Sequence, residues 1–257
     1  MPLKPHHQET LGLFFHSISS QAPKERAAKL GQILAYIDII DAQIRQYGPK
    51  RPLVFIDCGA GNAYLSFLVY YFYTVMQQRP LTVHCLDTNR TLIAKARQRA
   101  LDLHFDGMSF HAGDIADFTL EGRVDLVYAL HACDAATDKT LYLGLRQRAS
   151  CILSVACCQH GLVRQLHGGP LMALTRHRLF KERMAYMAGD TLRALLLETR
   201  GYKTDILEFA PSRFTDKNTM VRARKEIAKY HSTLQEDYEH LQQTFELTPA
   251  LESYLRP

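Results

Sequence analysis

Apolar residues recur at helical spacing over residues 24–44, at Ala27, Leu30, Ile33, Leu34, Ile37, Ile40 and Ile44. This pattern predicts an amphipathic helix, stopped by the glycine and two prolines of "YGPKRP". Five short apolar runs follow, at 53–57, 81–87, 108–112, 124–130 and 151–157, each of a length and composition that predicts a strand. Helical patterns fill three of the intervals, at 63–77, 90–103 and 137–148. Strands alternating with helices imply βαβ units with right-handed crossovers. A helix over 189–201 and two strands over 203–210 and 219–225 complete the pattern. The fold class expected is α/β, a doubly wound, mostly parallel seven-stranded sheet. The division expected is an N-terminal helical extension (1–49), a central domain (50–226) and a C-terminal helical tail (227–257), whose acidic residues read as a solvated helix face. The aromatic run 64–74, "YLSFLVYYFYT", reads as a buried helix face.

Composition changes this picture little. At 257 residues, with 47% hydrophobic and 22% charged residues, the chain can bury a full core. It has no apolar run long enough to span a bilayer, and its first thirty residues lack the pattern of a secretory signal, so a cytoplasmic protein away from membranes is expected. Six cysteines, all in or beside predicted strands, suit reduced thiols. The net charge of +5 allows an anionic partner without requiring one.

The strand ends carry the candidate chemistry, because open α/β sheets bind ligands at the carboxyl ends of their strands. The first strand runs into "DCGAGNAYLS", where Asp57 precedes a turn through Gly59 and Gly61 that lets the backbone approach a ligand. The second ends at Asp87, able to accept from ribose hydroxyls, and Asp114 follows the third, placed to accept from an adenine amine. Three successive strand ends bearing an acid are a stronger signal than one Gly-x-Gly turn. A nicotinamide cofactor is the rival, but Tyr64 occupies the last glycine of that fingerprint.

"DCGAGNAYLS", "CLDTNRTLIAKAR" and "AGDIADF" resemble the first three motifs of class I S-adenosylmethionine-dependent methyltransferases. "ALHACDAATD", "VACCQH" and "FTDKNTMVRARK" resemble a subgroup with His-x-Cys and Cys-Cys-x-His strand ends, similar to methyltransferase-like proteins and to tRNA acceptor-stem 2′-O-methyltransferases. The resemblance spans roughly residues 50–225. It departs at Asp134, where the pattern has glycine, and in lacking the zinc-binding modules of the tRNA enzymes. It implies S-adenosylmethionine as cofactor, held by Asp57, Gly59, Gly61, Asn62, Asp87, Thr88, Asp114 and Ile115.

His131, Cys133, Cys157, Cys158 and His160 would converge if the fourth and fifth strands are neighbours. Three readings stay open: simple packing of the strand ends, a substrate pocket with a base, or a zinc site. Adjacent cysteines at 157 and 158 are expected to face apart, so no metal is expected. His131 and Asp134 are the catalytic candidates, the base that a hydroxyl acceptor needs, since the fourth strand lacks the Asn/Asp-Pro-Pro-Tyr/Phe motif of amino-group methylases. Residues 161–185 carry Arg164, Arg176, Arg178, Lys181 and Arg183 against one acid, which suits a phosphate backbone. A second basic set, Arg213, Lys217, Arg222, Arg224 and Lys225, reads equally well as arginines paired to surface acids. The substrate contacts expected are therefore Arg164, Arg176, Arg178, Lys181, Cys157, Cys158 and His160, with RNA, and tRNA within that class, as the partner and no DNA. A protein or small-molecule acceptor, or a non-catalytic binding subunit, are the alternatives.

Overall fold

The computed structural model describes residues 3–166, 172–226 and 233–256. Seven strands form one sheet: β1 (Leu53–Cys58), β2 (Leu81–Asp87), β3 (Met108–Ala112), β4 (Leu126–Ala132), β5 (Cys151–Ala156), β6 (Tyr202–Glu208) and β7 (Thr219–Lys225). Their spatial order is β3-β2-β1-β4-β5-β7-β6, with β1 to β5 parallel and β7 antiparallel to both neighbours. The doubly wound, mostly parallel sheet expected from the alternation is thus present. The chain reverses direction across the sheet between β1 and β4, so the crevice that open α/β sheets use opens at their carboxyl ends.

The helices are α1 (Pro5–Ile18), α2 (Pro23–Ile44), α3 (Tyr64–Tyr70), α4 (Arg90–Asp102), α5 (Ala135–Arg146), α6 (His160–Gln165), α7 (Met172–Thr175), α8 (Arg178–Glu198), α9 (Thr233–Phe245) and α10 (Ala250–Leu255). A π-helical turn, Tyr71–Met76, continues α3. Alternation along the strands divides the core by face. Leu53, Phe55, Leu126, Tyr128, Leu153 and Val155 pack with α1 to α4, while Ile56, Val127 and Ile152 pack with α5, α8 and the tail residues Tyr238, Leu247 and Leu251.

The N-terminal helices are part of this core. Leu11, Phe15, Ile33, Tyr36, Ile37 and Ile40 are fully buried, and the Tyr36 hydroxyl reaches the carbonyls of Ala129 in β4 and Leu153 in β5, both at 3.0 Å. The aromatic run is buried as expected, at Tyr64, Phe67, Tyr70, Phe72 and Tyr73. The helix read over 189–201 begins earlier, at Arg178, because the polar stretch before it continues the same helix. Within the basic segment, residues 167–171 lie outside the described residues, as do 227–232 of the tail.

Candidate functional site

The turn after β1 is built from left-handed backbone, with φ of 69° at Gly59, 56° at Gly61 and 55° at Ala63. Glycine adopts this region without a Cβ penalty, which explains the first two positions. The Gly61 amide donates to Asp87 Oδ2 at 2.8 Å, and the Asn89 amide donates to Asp87 Oδ1 at 2.8 Å. The acid at the end of β2 therefore braces the turn at the end of β1, because parallel pairing sets Cys58 beside Leu86. The Gly113 amide donates to the Asp87 carbonyl at 3.1 Å, which brings the β3 end and Asp114 into the same row.

A cavity of about 270 Å³ opens at this edge, lined by Asp57, Gly59, Ala60, Gly61, Asn62, Leu130 and three residues that the sequence reading missed, Gln21, Lys29 and Tyr64. Asp57 is buried, and Ser66 Oγ donates to its Oδ2 at 2.6 Å. Burial pushes its carboxyl up to about 7, against the opposing pull of that hydrogen bond and of the Lys29 ammonium. Burial in turn lowers Lys29. Lys29, Gln32 and Tyr36 are polar at three- and four-residue spacing along α2, the first two turned toward the strand ends and Tyr36 toward the middle of β4 and β5. That stripe was the available signal for them. Thr88 is exposed, Ile115 is buried, and Asp114 accepts from the Ala116 amide at 2.9 Å while pairing with Lys139.

The β4 end is irregular. The β4–β5 register shifts between Leu130 and Ala132, and His131 within the bulge has φ of 67°. Bulges re-aim a side chain, and a β-strand residue held at positive φ is strained. Here the bulge turns His131 to α2, where Nε2 lies 2.8 Å from Gln32 Oε1. The Gln32 amide nitrogen is itself held by the Phe214 carbonyl at 2.8 Å, so the oxygen faces the histidine and Nε2 is the protonated nitrogen. The buried Nδ1 has no hydrogen-bond partner among the described residues. Burial, helped by Lys29, lowers the imidazole to about 4, so the ring is neutral near pH 7 and Nδ1 carries a lone pair.

Asp134 also has positive φ, 50°, which accounts for the glycine that the resembling motif has there. Its carboxylate accepts from the Gly161 amide at 2.9 and 3.2 Å, and its amide donates to the Cys158 carbonyl at 2.8 Å. These bonds tie the β4 and β5 loops together and engage both carboxylate oxygens. Cys133, Cys157 and Cys158 do converge, whereas His160 is exposed and stands outside their group. Behind them lies a buried ionic network. Arg193 in α8 pairs with both oxygens of Asp138 at 2.8 and 2.9 Å, with Asp190 at 3.2 Å, and with Gln159 Oε1 at 2.5 Å.

A second cavity, of about 500 Å³, lies on the other side of the β5 end between α8 and the β6–β7 edge. Ala156, Gln159, Leu179, Tyr186, Met187 and Ile206 line it with Glu182, Arg183 and Lys217. Of the first basic set, Arg164, Arg176 and Arg183 are exposed, and Arg178 pairs with Glu182 at 2.8 Å. In the second set Arg222 and Arg224 pair with Asp205 at 3.0 and 3.4 Å, the paired arrangement allowed for them above.

Residues 28–165, more than half of the chain, match the family described as a methyltransferase domain. The chain belongs to this methyltransferase family. A relative from Drosophila pseudoobscura pseudoobscura, described as a glutathione S-transferase C-terminal domain-containing protein homolog, is 24% identical over 238 residues, 81% of this chain. The chain spans 39% of that relative's length. Among solved structures, the CurJ carbon methyltransferase superposes with a TM-score of 0.50 at 14% identity, covering 85% of this chain and 59% of its own. The magnesium protoporphyrin IX methyltransferase of Synechocystis PCC 6803, solved with S-adenosylmethionine bound, gives a TM-score of 0.49 at 13% identity, covering 88% of this chain and 100% of its own. The likeness to the CurJ enzyme is one of fold. No helix among the described residues is long and apolar enough to cross a membrane.

Proposed function

We propose that this methyltransferase takes S-adenosylmethionine in the cavity at the β1 turn and methylates an RNA hydroxyl presented over the β4 and β5 ends. The observation that carries this reading is the placement of the unpartnered His131 Nδ1, in the residue after Leu130, which lines the cofactor cavity. The cavity residues fit an amino-acid end: Lys29 offers a cation to a carboxylate, and Asp57 an anion to an ammonium. Asp87, at the end of β2, would take the ribose hydroxyls, and Asn62, Thr88, Asp114 and Ile115 would border the adenosine. When bound, the cofactor supplies a methyl group made electrophilic by its sulfonium.

The remaining tasks belong to the chain: alignment, water exclusion and removal of one proton. Once the strained bulge shifts to open the buried Nδ1, a neutral imidazole with a free lone pair can accept that proton from a hydroxyl, while Nε2–H on Gln32 fixes the ring. Asp134 braces the two loops through the Gly161 amide, and because that one N–H leaves acceptor sites free on both oxygens it stays the second candidate base beside His131. Exposed Arg164, Arg176 and Arg183, with Lys181 beside them, supply the cationic rim for a phosphate backbone. Cys157, Cys158 and His160 would flank the acceptor. A second reading, a compact apolar acceptor, is favoured by the 500 Å³ cavity lined by Leu179, Tyr186, Met187 and Ile206.

The test is transfer of labelled methyl groups into total RNA and total protein from a strain lacking the gene. Label is expected in RNA. Label in protein alone would overturn the RNA reading, and label in neither pool would favour the second one. Asp87→Ala should weaken cofactor binding by about 1.5–3 kcal/mol, the range for losing a charged hydrogen-bond partner, in a protein of unchanged circular dichroism. His131→Ala should leave both binding constants near normal and lower turnover by about 10²–10⁴-fold.

A further inference from the structure

We propose that Cys133, Cys157 and Cys158 form a site for one zinc(II) ion, held by three thiolates with solvent as the fourth ligand. The Sγ atoms lie 2.6 Å (Cys133–Cys157), 3.3 Å (Cys133–Cys158) and 3.4 Å (Cys157–Cys158) apart, a triangle with each corner on a different residue. Adjacent cysteines in a continuing strand would point to opposite faces. β5 ends at Ala156, however, and the chain turns toward α6, so Cys157 and Cys158 face the same point. The reason for expecting no metal at adjacent cysteines is thereby removed.

The triangle faces outward, with Cys133 exposed and the other two sulfur-bearing residues half-buried, which leaves room for a fourth ligand from solvent. Three protein ligands and one open position are a zinc arrangement in their own right, and thiolates are among its preferred ligands. A tetrahedral ion with Zn–S bonds of about 2.3 Å needs sulfur–sulfur edges of about 3.8 Å. The two edges to Cys158 need only a few tenths of an ångström, and exposed Cys133 supplies the larger opening.

The loops that carry the sulfurs are fixed independently of any ion. The Asp134 carboxylate on the Gly161 amide locks the β4 loop to the β5 loop, and Gln159, next to Cys158, is gripped by buried Arg193 and Asp190. Such a scaffold presents a site instead of requiring the ion to assemble it. Binding releases three protons to solvent and leaves three thiolates on a dication, a net charge of −1 at the ion.

This inference does not depend on the methyl acceptor. The experiment is elemental analysis of protein purified without chelator or affinity metal, followed by removal of metal and titration of the reduced apo-protein with zinc(II) or cobalt(II). About one zinc per chain is expected, with intense thiolate-to-cobalt charge-transfer bands on substitution. Cys133→Ser, Cys157→Ser and Cys158→Ser should each reduce metal content and bleach those bands while circular dichroism stays unchanged. Because a serine variant can unfold, the titration of the unaltered protein decides on its own. Substoichiometric metal with no cobalt bands in fully reduced protein would overturn the proposal. So would a Cys133–Cys157 disulfide found by peptide mass mapping whose reduction does not restore metal binding.

Discussion

Asp57 is the ionisable group on which the proposed cofactor site turns. It is enclosed by Ser66 from α3, Tyr128 from β4, Tyr36 and Lys29 from α2, and Asp87 from β2. Its carboxyl is held up to about 7, mainly by burial. A raised carboxyl favours the protonated folded form, so its contribution to stability is present at acid pH and is lost as the pH climbs from about 4 through about 7. A cationic ligand reverses the balance, because only the ionised carboxylate attracts it. Cofactor affinity should therefore rise by up to about tenfold per pH unit toward pH 7 and then level off, with proton release at the acid end. Calorimetry in two buffers of different ionisation enthalpy measures that release, and Asp57→Asn should flatten both curves. A pH-independent affinity would show that Asp57 lies away from the bound cation.

At the scale of elements, α8 carries the ionic post that holds the β5 loop. Arg193 is 1% exposed and is met by Asp138 from α5, Asp190 from its own helix and Gln159 from the loop. Removing one partner of a buried pair strands the other charge, so Arg193→Ala should cost about 3–5 kcal/mol in urea unfolding. Arg193→Met combined with Asp138→Asn should cost less than the sum of the single changes, and strict additivity would deny the coupling. This network was not legible beforehand. Asp138 was visible in "ALHACDAATD", but nothing in a helical stretch 55 residues later marks Arg193 as its buried partner. The strands were more legible: 108–112 and 219–225 match the structure residue for residue, because each bears its pattern locally.

For the whole molecule, two cavities flank the β4 and β5 ends, one against the glycine turn and one under α8. If the exposed cations of the segment after β5 hold RNA, Arg164→Ala with Arg176→Ala should weaken binding and flatten its salt dependence. Each lost phosphate contact removes about 0.7–0.9 from the log–log slope. Turnover at saturating RNA should barely change, because such contacts hold ground state and transition state alike. Filter binding across a salt series measures the slope. An unchanged slope would move the phosphate contact elsewhere on the surface.

The sequence by itself determined the α/β class, the strand positions and the acids and glycines at the first three strand ends. Those features are local: period-two burial, helical spacing and turn chemistry are written within a dozen residues. Only the tertiary structure decided which distant residues share the site. α2 packs across the strand ends and delivers Lys29 and Gln32, the bulge at Leu130 and Ala132 turns His131 to meet them, and the end of β5 at Ala156 brings adjacent cysteines to one point. Each depends on how an element ends or docks. That is set by packing over the whole sheet, and of the three only the polar stripe of α2 leaves a periodic trace along the chain.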